Sequence, residues 1–202
     1  MKRVLLYFGS FNPIHIGHTA IANYAMASGI ADELWLVVSP QNPFKPTDSL
    51  VSATDRVEMA RLAIEQSDLA EQIVVSDVEL HLPIPSFTIQ TLETLWESYP
   101  EYQFSILMGS DNFASVGKWK ESARILARCP LYVYDRPGCP FAEVPVEMAV
   151  AVHRLTEAPL LEIGSTRLRK MLFDGQYIPA LLPPGVYHYI KTHGLYRIND
   201  KH

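Results

Sequence analysis

The chain has 202 residues, 48% of them hydrophobic and 19% charged, with 10 glycines and 15 prolines. That is enough apolar mass for a buried core without disulfides or a structural metal, and the Gly and Pro content is ordinary, which excludes collagen-like and disordered classes. A formal net charge of −5, with no basic cluster, excludes sequence-independent clamping of nucleic acid.

The elements follow in alternation. Val4, Leu5, Leu6, Tyr7 and Phe8 form a continuous apolar run, as a strand buried on both faces requires. The run is too short for the apolar core of a signal peptide, and no stretch approaches the roughly 20 residues of a membrane span. A helix is predicted over 18–28, with Ile21, Tyr24, Ala25 and Ser28 at helical spacing and Gly29 as its stop. A second strand is predicted over 34–38, then a Pro-rich loop over 39–52. Thr54 is the expected cap of a helix over 55–65, with Val57, Ala60, Arg61 and Ile64 on its periodic face. A short strand over 73–76 and a second Pro-rich loop over 80–87 precede a helix that starts at Ser86 or Thr88 and runs through Tyr99.

Further strands are expected over 104–108 and 131–134, with a helix over 122–128 between them. Final strands are expected over 149–152 and 160–163, and helices over 165–173 and 185–193. Strands alternating with helices predict a Rossmann-like, doubly wound parallel α/β sheet with helices on both faces. No linker or repeat divides the chain, so a single domain over 1–202 is expected, with a C-terminal helical segment over about 164–196. Two cysteines, Cys129 and Cys139, without CxxC spacing fit a reducing, cytoplasmic setting.

In such sheets ligands bind beyond the carboxyl ends of the strands. Small, donor-rich residues collect there, and the phrase Gly9-Ser10-Phe11-Asn12-Pro13-Ile14-His15-Ile16-Gly17-His18 is the richest. Gly9 permits close backbone approach, and Asn12-Pro13 forces a turn. His15 and His18 flank Gly17 where a helix begins, and free N–H groups and the positive dipole end suit phosphate. A histidine taken alone is more often a helix-start or core residue, and His-x-x-His without further ligands is a weak zinc pattern, so no protein metal site is assigned.

The whole phrase resembles the G-S/G-F-D/N-P-x-H-x-G-H motif of the nucleotidylyltransferase superfamily, whose two histidines contact ATP phosphates. Ile163-Gly164-Ser165-Thr166-Arg167-Leu168-Arg169 resembles the superfamily's I-S-S-T-x-I-R, with Gly164 in place of the usual Ser. There Ser165 or Thr166 can cap a helix, and Arg169 can donate a charged fork to phosphate. Pro40-Gln41-Asn42-Pro43-Phe44-Lys45 is similar to the P-x-x-x-P-x-K stretch of bacterial nicotinate mononucleotide adenylyltransferases. Ser86-Phe87-Thr88-Ile89-Gln90-Thr91-Leu92 resembles their S-Y-T-x-D-T-L segment, departing at Phe87 and Gln90. Gly109-Ser110-Asp111-Asn112 with Trp119 resembles their G-x-D-N and W, and the closing segment through Tyr196 is similar too, its aromatics read as packing.

The resemblance implies adenylyl transfer from ATP to nicotinate mononucleotide. His15, His18 and Arg169 are the implied catalytic residues. Gly9, Ser10, Phe11, Gly17, Ile163, Ser165 and Thr166 complete the implied ATP site. Asn12, Lys45, Thr88, Asp111 and Trp119 are the implied mononucleotide contacts. Mg²⁺ is expected with ATP, and no nucleic-acid or membrane partner is expected. A homo-oligomer stays open, as do transfer to nicotinamide mononucleotide or phosphopantetheine and a non-catalytic nucleotide sensor.

Overall fold

The computed structural model describes residues 1–40, 50–139, 141, 151–176 and 178–196. Six strands form one sheet: β1 (Lys2–Gly9), β2 (Glu33–Val38), β3 (Ile73–Ser76), β4 (Tyr102–Gly109), β5 (Leu131–Tyr134) and β6 (Val152–Leu155). Their order is β3-β2-β1-β4-β5-β6, and every adjacent pair is parallel. This is the doubly wound, Rossmann-like order, in which the direction of winding reverses between β1 and β4.

Strand β1 shows why the sheet is covered on both sides. Leu5 and Tyr7 join one apolar cluster while Val4 and Leu6 join the other, as side chains alternating along a strand must. Val4, Leu5 and Leu6 are fully buried, each contributing about 1.5–3 kcal/mol of hydrophobic stabilisation. Helices α1 (Ile16–Ala27), α2 (Ala53–Ile64), α6 (Ser165–Phe173) and α7 (Pro184–His193) cover the first face through residues such as Ile21, Met59, Leu168 and Ile190. Helices α3 (Thr88–Ser98), α4 (Ser110–Phe113) and α5 (Ser122–Arg128) cover the second through Leu92, Phe113 and Ile125. Among the described residues no helix is long and apolar enough to cross a membrane.

Several expectations need correction. Helix α1 begins at Ile16 rather than 18, because the His15 imidazole caps it. Helix α2 is capped by Ser52, whose Oγ accepts the Asp55 N–H at 3.0 Å, not by exposed Thr54. Its buried arginine is Arg56, while Arg61 stands exposed beside Glu58 at 3.7 Å. Ser86 starts no helix: it is buried with its Oγ 3.5 Å from Glu79. The sixth strand lies at Val152–Leu155, later than 149–152, of which residues 149 and 150 lie outside the described residues. Residues 160–163 join no ladder. Leu160 is 63% exposed, and the Ile163 N–H turns back to the Leu161 carbonyl at 2.9 Å, so the segment leaves the sheet to cross over the start of α1.

Candidate active site

The exits of β1 and β4 flank the point where strand order reverses. After Gly9, the chain turns sharply: Phe11 takes a left-handed φ of 44° and Asn12-Pro13 is cis. Phe11 folds back over Gly9, where a Cβ would lie 2.8 Å from its ring, so only glycine fits at that position. The bend delivers the chain to α1 with its two histidines stacked, ring centroids 3.8 Å apart.

Their hydrogen bonds fix both rings. His15 Nδ1 accepts the Gly17 N–H at 3.1 Å, and His18 Nδ1 accepts the His15 N–H at 3.2 Å. With Nδ1 an acceptor in each, the neutral rings carry their protons on Nε2. His15 is buried; that burial, reinforced by the Arg136 cation, pushes its pKa from 6.5 down to about 3, so it is a neutral donor at physiological pH. His18 is half-buried and edge-on to Phe11 at 5.1 Å. Beneath it Tyr7 packs at 6.2 Å, with its hydroxyl bonded to that of Tyr134 at 2.8 Å.

The second motif meets the first directly. Ser165 Oγ donates to the Pro13 carbonyl at 3.0 Å, and Arg169 donates to the Asn12 carbonyl at 2.9 Å. A Cβ on Gly17 would sit 2.6 Å from Ile163 Cγ2, so Gly17 is the surface on which Ile163 rests. Ser165 and Thr166 are therefore not side-chain caps. Gly164 is the N-cap residue of α6 without a side-chain hydrogen bond, Ser165 is spent on Pro13, and Thr166 Oγ1 accepts from Arg169 at 3.3 Å. The first amides of α6 have no partners within the helix, which leaves donors for an anion. Gly164 has an extended φ of −152° and open space where a Cβ would go, so nothing in the structure requires glycine there.

The residues assigned to the mononucleotide fall into several groups. Asn12 is buried in the bend, its Oδ1 accepting the Tyr196 hydroxyl at 2.8 Å and the Val51 N–H at 3.4 Å. Thr88 opens α3, and Gln90 accepts the Phe87 N–H at 3.0 Å, so this departure from the motif serves as a helix-start clasp. Trp119 is half-buried against the second core cluster, and neighbouring Lys120 sits 5.0 Å above the Phe87 ring, bringing the Trp119 loop to the start of α3. Asp111, on the short helix α4, is exposed with its carboxylate 3.9 Å from Arg136. Lys45 lies outside the described residues.

Four residues to which the sequence assigned no site role stand at the site. Arg56, Arg136, Ser110 and Tyr196 all contact it or its loops. Ser110 Oγ accepts the Arg136 N–H at 2.9 Å and donates to the Cys139 carbonyl at 2.7 Å, joining the β4 and β5 exits. The closing aromatics pack on the first core cluster as expected, and Tyr196 in addition donates its hydroxyl to Asn12 Oδ1. A charged residue in register with the buried face of α2 was the available signal for Arg56; nothing in the local pattern pointed to Tyr196.

Residues 6–171 match the cytidylyltransferase-like family model. A probable nicotinate-nucleotide adenylyltransferase of Flavobacterium johnsoniae is 39% identical over 195 residues, covering 96% of this chain and 99% of its own. Another from Bacteroides thetaiotaomicron is 40% identical over 195 residues, covering 96% and 94%. In fold, the chain resembles Plasmodium falciparum nicotinic acid mononucleotide adenylyltransferase complexed with NaAD, with a TM-score of 0.82 at 22% identity over 97% of this chain and 98% of that one.

Proposed function

Since the chain belongs to the cytidylyltransferase-like family, and within it to the nicotinate-nucleotide adenylyltransferases, we infer from that premise how its residues share the reaction. The protein transfers AMP from ATP to nicotinate mononucleotide, a step of NAD biosynthesis. A phosphate oxygen of the mononucleotide bonds to the α-phosphorus as the bond to the bridging oxygen breaks, giving deamido-NAD and pyrophosphate. The attacking phosphate is already anionic near pH 7, so the reaction asks mainly for in-line positioning and donors to developing charge.

The observation that carries the assignment of roles is the convergence of the Gly9–His18 bend with the start of α6. The donors these two segments bring are the Nε2–H groups of His15 and His18, the α6 amides of Ser165 and Thr166, and the Arg169 guanidinium. We assign these to the triphosphate. His18, on the more open side, is the principal donor to the α-phosphoryl oxygens, and buried, neutral His15 backs it and supplies the second donor. Gly9, Ser10, Phe11, Gly17 and Ile163 shape the wall that ATP lies against.

Asn12, Thr88, Asp111 and Trp119 are assigned to the mononucleotide, with the indole of Trp119 offered to the pyridine ring; Lys45 is its proposed phosphate contact. Such aromatic stacking contributes about 0.5–1.5 kcal/mol beyond area burial. A divalent cation, expected as Mg²⁺, enters as part of the MgATP substrate, held by phosphate and water oxygens. Among the described residues no group of three or more His, Cys, Asp or Glu side chains could cage it. The two free thiols, Cys129 and Cys139, support a cytoplasmic setting.

A coupled pyrophosphate-release assay tests the reading, with nicotinate mononucleotide, nicotinamide mononucleotide and phosphopantetheine as separate acceptors. Release with the acid, well above the other two, is expected. ATP binding without release for any acceptor would mark a nucleotide sensor instead.

A further inference from the structure

Outside the groups already assigned, one buried charge stands apart. Arg56 lies on α2 with 1% of its surface exposed, and among the described residues no carboxylate pairs with it. Its neighbour Asp55 is engaged elsewhere, accepting from Ser52 Oγ at 2.6 Å and from the Tyr189 hydroxyl at 2.9 Å. A buried cation without a counter-charge is costly unless its N–H groups are satisfied. Here they are satisfied by four backbone carbonyls: Ser10 at 2.7 Å, Ser39 at 2.6 Å, Pro40 at 2.9 Å and Val51 at 3.2 Å.

Those acceptors come from three places. Ser10 belongs to the β1-exit bend, Ser39 and Pro40 to the β2 exit, and Val51 to the approach to α2. Among the described residues the same three places are also linked by the end of the β1–β2 ladder, by the Ser39 N–H to the Gly9 carbonyl at 2.9 Å and by the Val51 N–H to Asn12 Oδ1 at 3.4 Å. A planar guanidinium, with donors in a fixed fork, can hold several carbonyls in one geometry; a lysine ammonium is a point charge with three donors and no plane.

We propose that Arg56 is a positioning residue for adenylyl transfer: it locks the Ser10 carbonyl, and with it the bend that leads to His15 and His18, against the β2 exit. The inference rests on the adenylyltransferase reading above. With 1% of its surface exposed and its donors on backbone carbonyls, Arg56 is placed to work through the chain rather than on substrate. It acts by fixing the backbone from which the phosphate-facing residues project, so its loss costs turnover more than ground-state affinity, as an error of about 1 Å in a reacting geometry can cost about 10²-fold.

The test uses Arg56→Lys and Arg56→Ala in the full chain, with the folded fraction set by circular dichroism and turnover read by pyrophosphate release per folded molecule. For folded Arg56→Lys, kcat falls at least tenfold while KM for ATP changes less than threefold. In Arg56→Ala, 10 mM guanidinium restores kcat several-fold and 10 mM urea does not. Wild-type kcat in either folded variant, or a deficit that guanidinium leaves unmoved, overturns the proposal. So does failure of both variants to fold, which would assign Arg56 to stability alone. Absence of turnover in the wild-type protein under the same conditions would instead remove the reading on which the proposal stands.

Discussion

The packing of Ile163 onto Gly17 gives a direct handle on whether the two motifs form one site. In Gly17→Ala the new Cβ would lie 2.6 Å from Ile163 Cγ2 and 3.0 Å from His15 Cε1, whereas carbon atoms rest about 3.5–4.0 Å apart. Ile163 must retreat by about 1 Å, and overpacking of that kind costs about 1–3 kcal/mol. Alanine recovers up to about 1 kcal/mol through helix propensity, because Gly17 is the second residue of α1. The net loss in urea unfolding is therefore about 0–3 kcal/mol, too broad to be decisive alone. The decisive quantity is the coupling. Ile163→Ala deletes the clashing methyl, so the double variant loses less than the sum of the singles, by about 1–3 kcal/mol. Pyrophosphate release should follow: Gly17→Ala falls at least tenfold in kcat, and the added Ile163→Ala recovers part of it. Additivity within about 0.5 kcal/mol would refute the claim that Ile163 and the first helix share a contact.

His15 predicts a pH effect. With its pKa held near 3 in the fold against 6.5 unfolded, the unfolded chain binds one more proton between those values, so stability falls as pH drops through that window. His15→Gln should lack that contribution of roughly 1.4 kcal/mol per pH unit between pH 6 and 4; identical slopes for both proteins in urea titrations would contradict it. His18→Ala should lower kcat by about 10²–10³ with a smaller change in KM, and near-wild-type turnover would remove His18 from the mechanism. Trp119→Ala should weaken nicotinate mononucleotide binding while leaving ATP affinity near its wild-type value. An unchanged mononucleotide Kd in calorimetry would defeat the stacking assignment.

Local chemistry made much of this molecule legible. Unbroken apolar β1, the αL glycine Gly29 at φ +66° and the 73–76, 122–128, 131–134 and 165–173 elements all follow from patterns of burial and chain-stopping residues. The bend and the α6 start were recognisable because each concentrates glycine, small donors and basic side chains in a few residues. The cap of α2 was legible but misread: Ser52 stands three residues before Asp55 and bonds both its N–H and its carboxylate, whereas Thr54 has Val57 at that spacing. What stayed hidden depended on distant partners. Leu160 to Ile163 look like a strand, yet the sheet edge is already occupied by β6 and Ile163 is needed over Gly17. Arg56 and Tyr196 reach the bend across 46 and 184 residues of sequence, so no window along the chain contains both ends of either contact.

The central claim is that the triphosphate of ATP lies between the bend and the start of α6. A crystal structure of the protein with a non-hydrolysable ATP analogue tests it most directly. Phosphoryl oxygens should lie about 3 Å from His18 Nε2 and from the Ser165 or Thr166 backbone N–H. A triphosphate bound at another edge of the sheet, with His18 and the α6 amides facing only solvent, would contradict it.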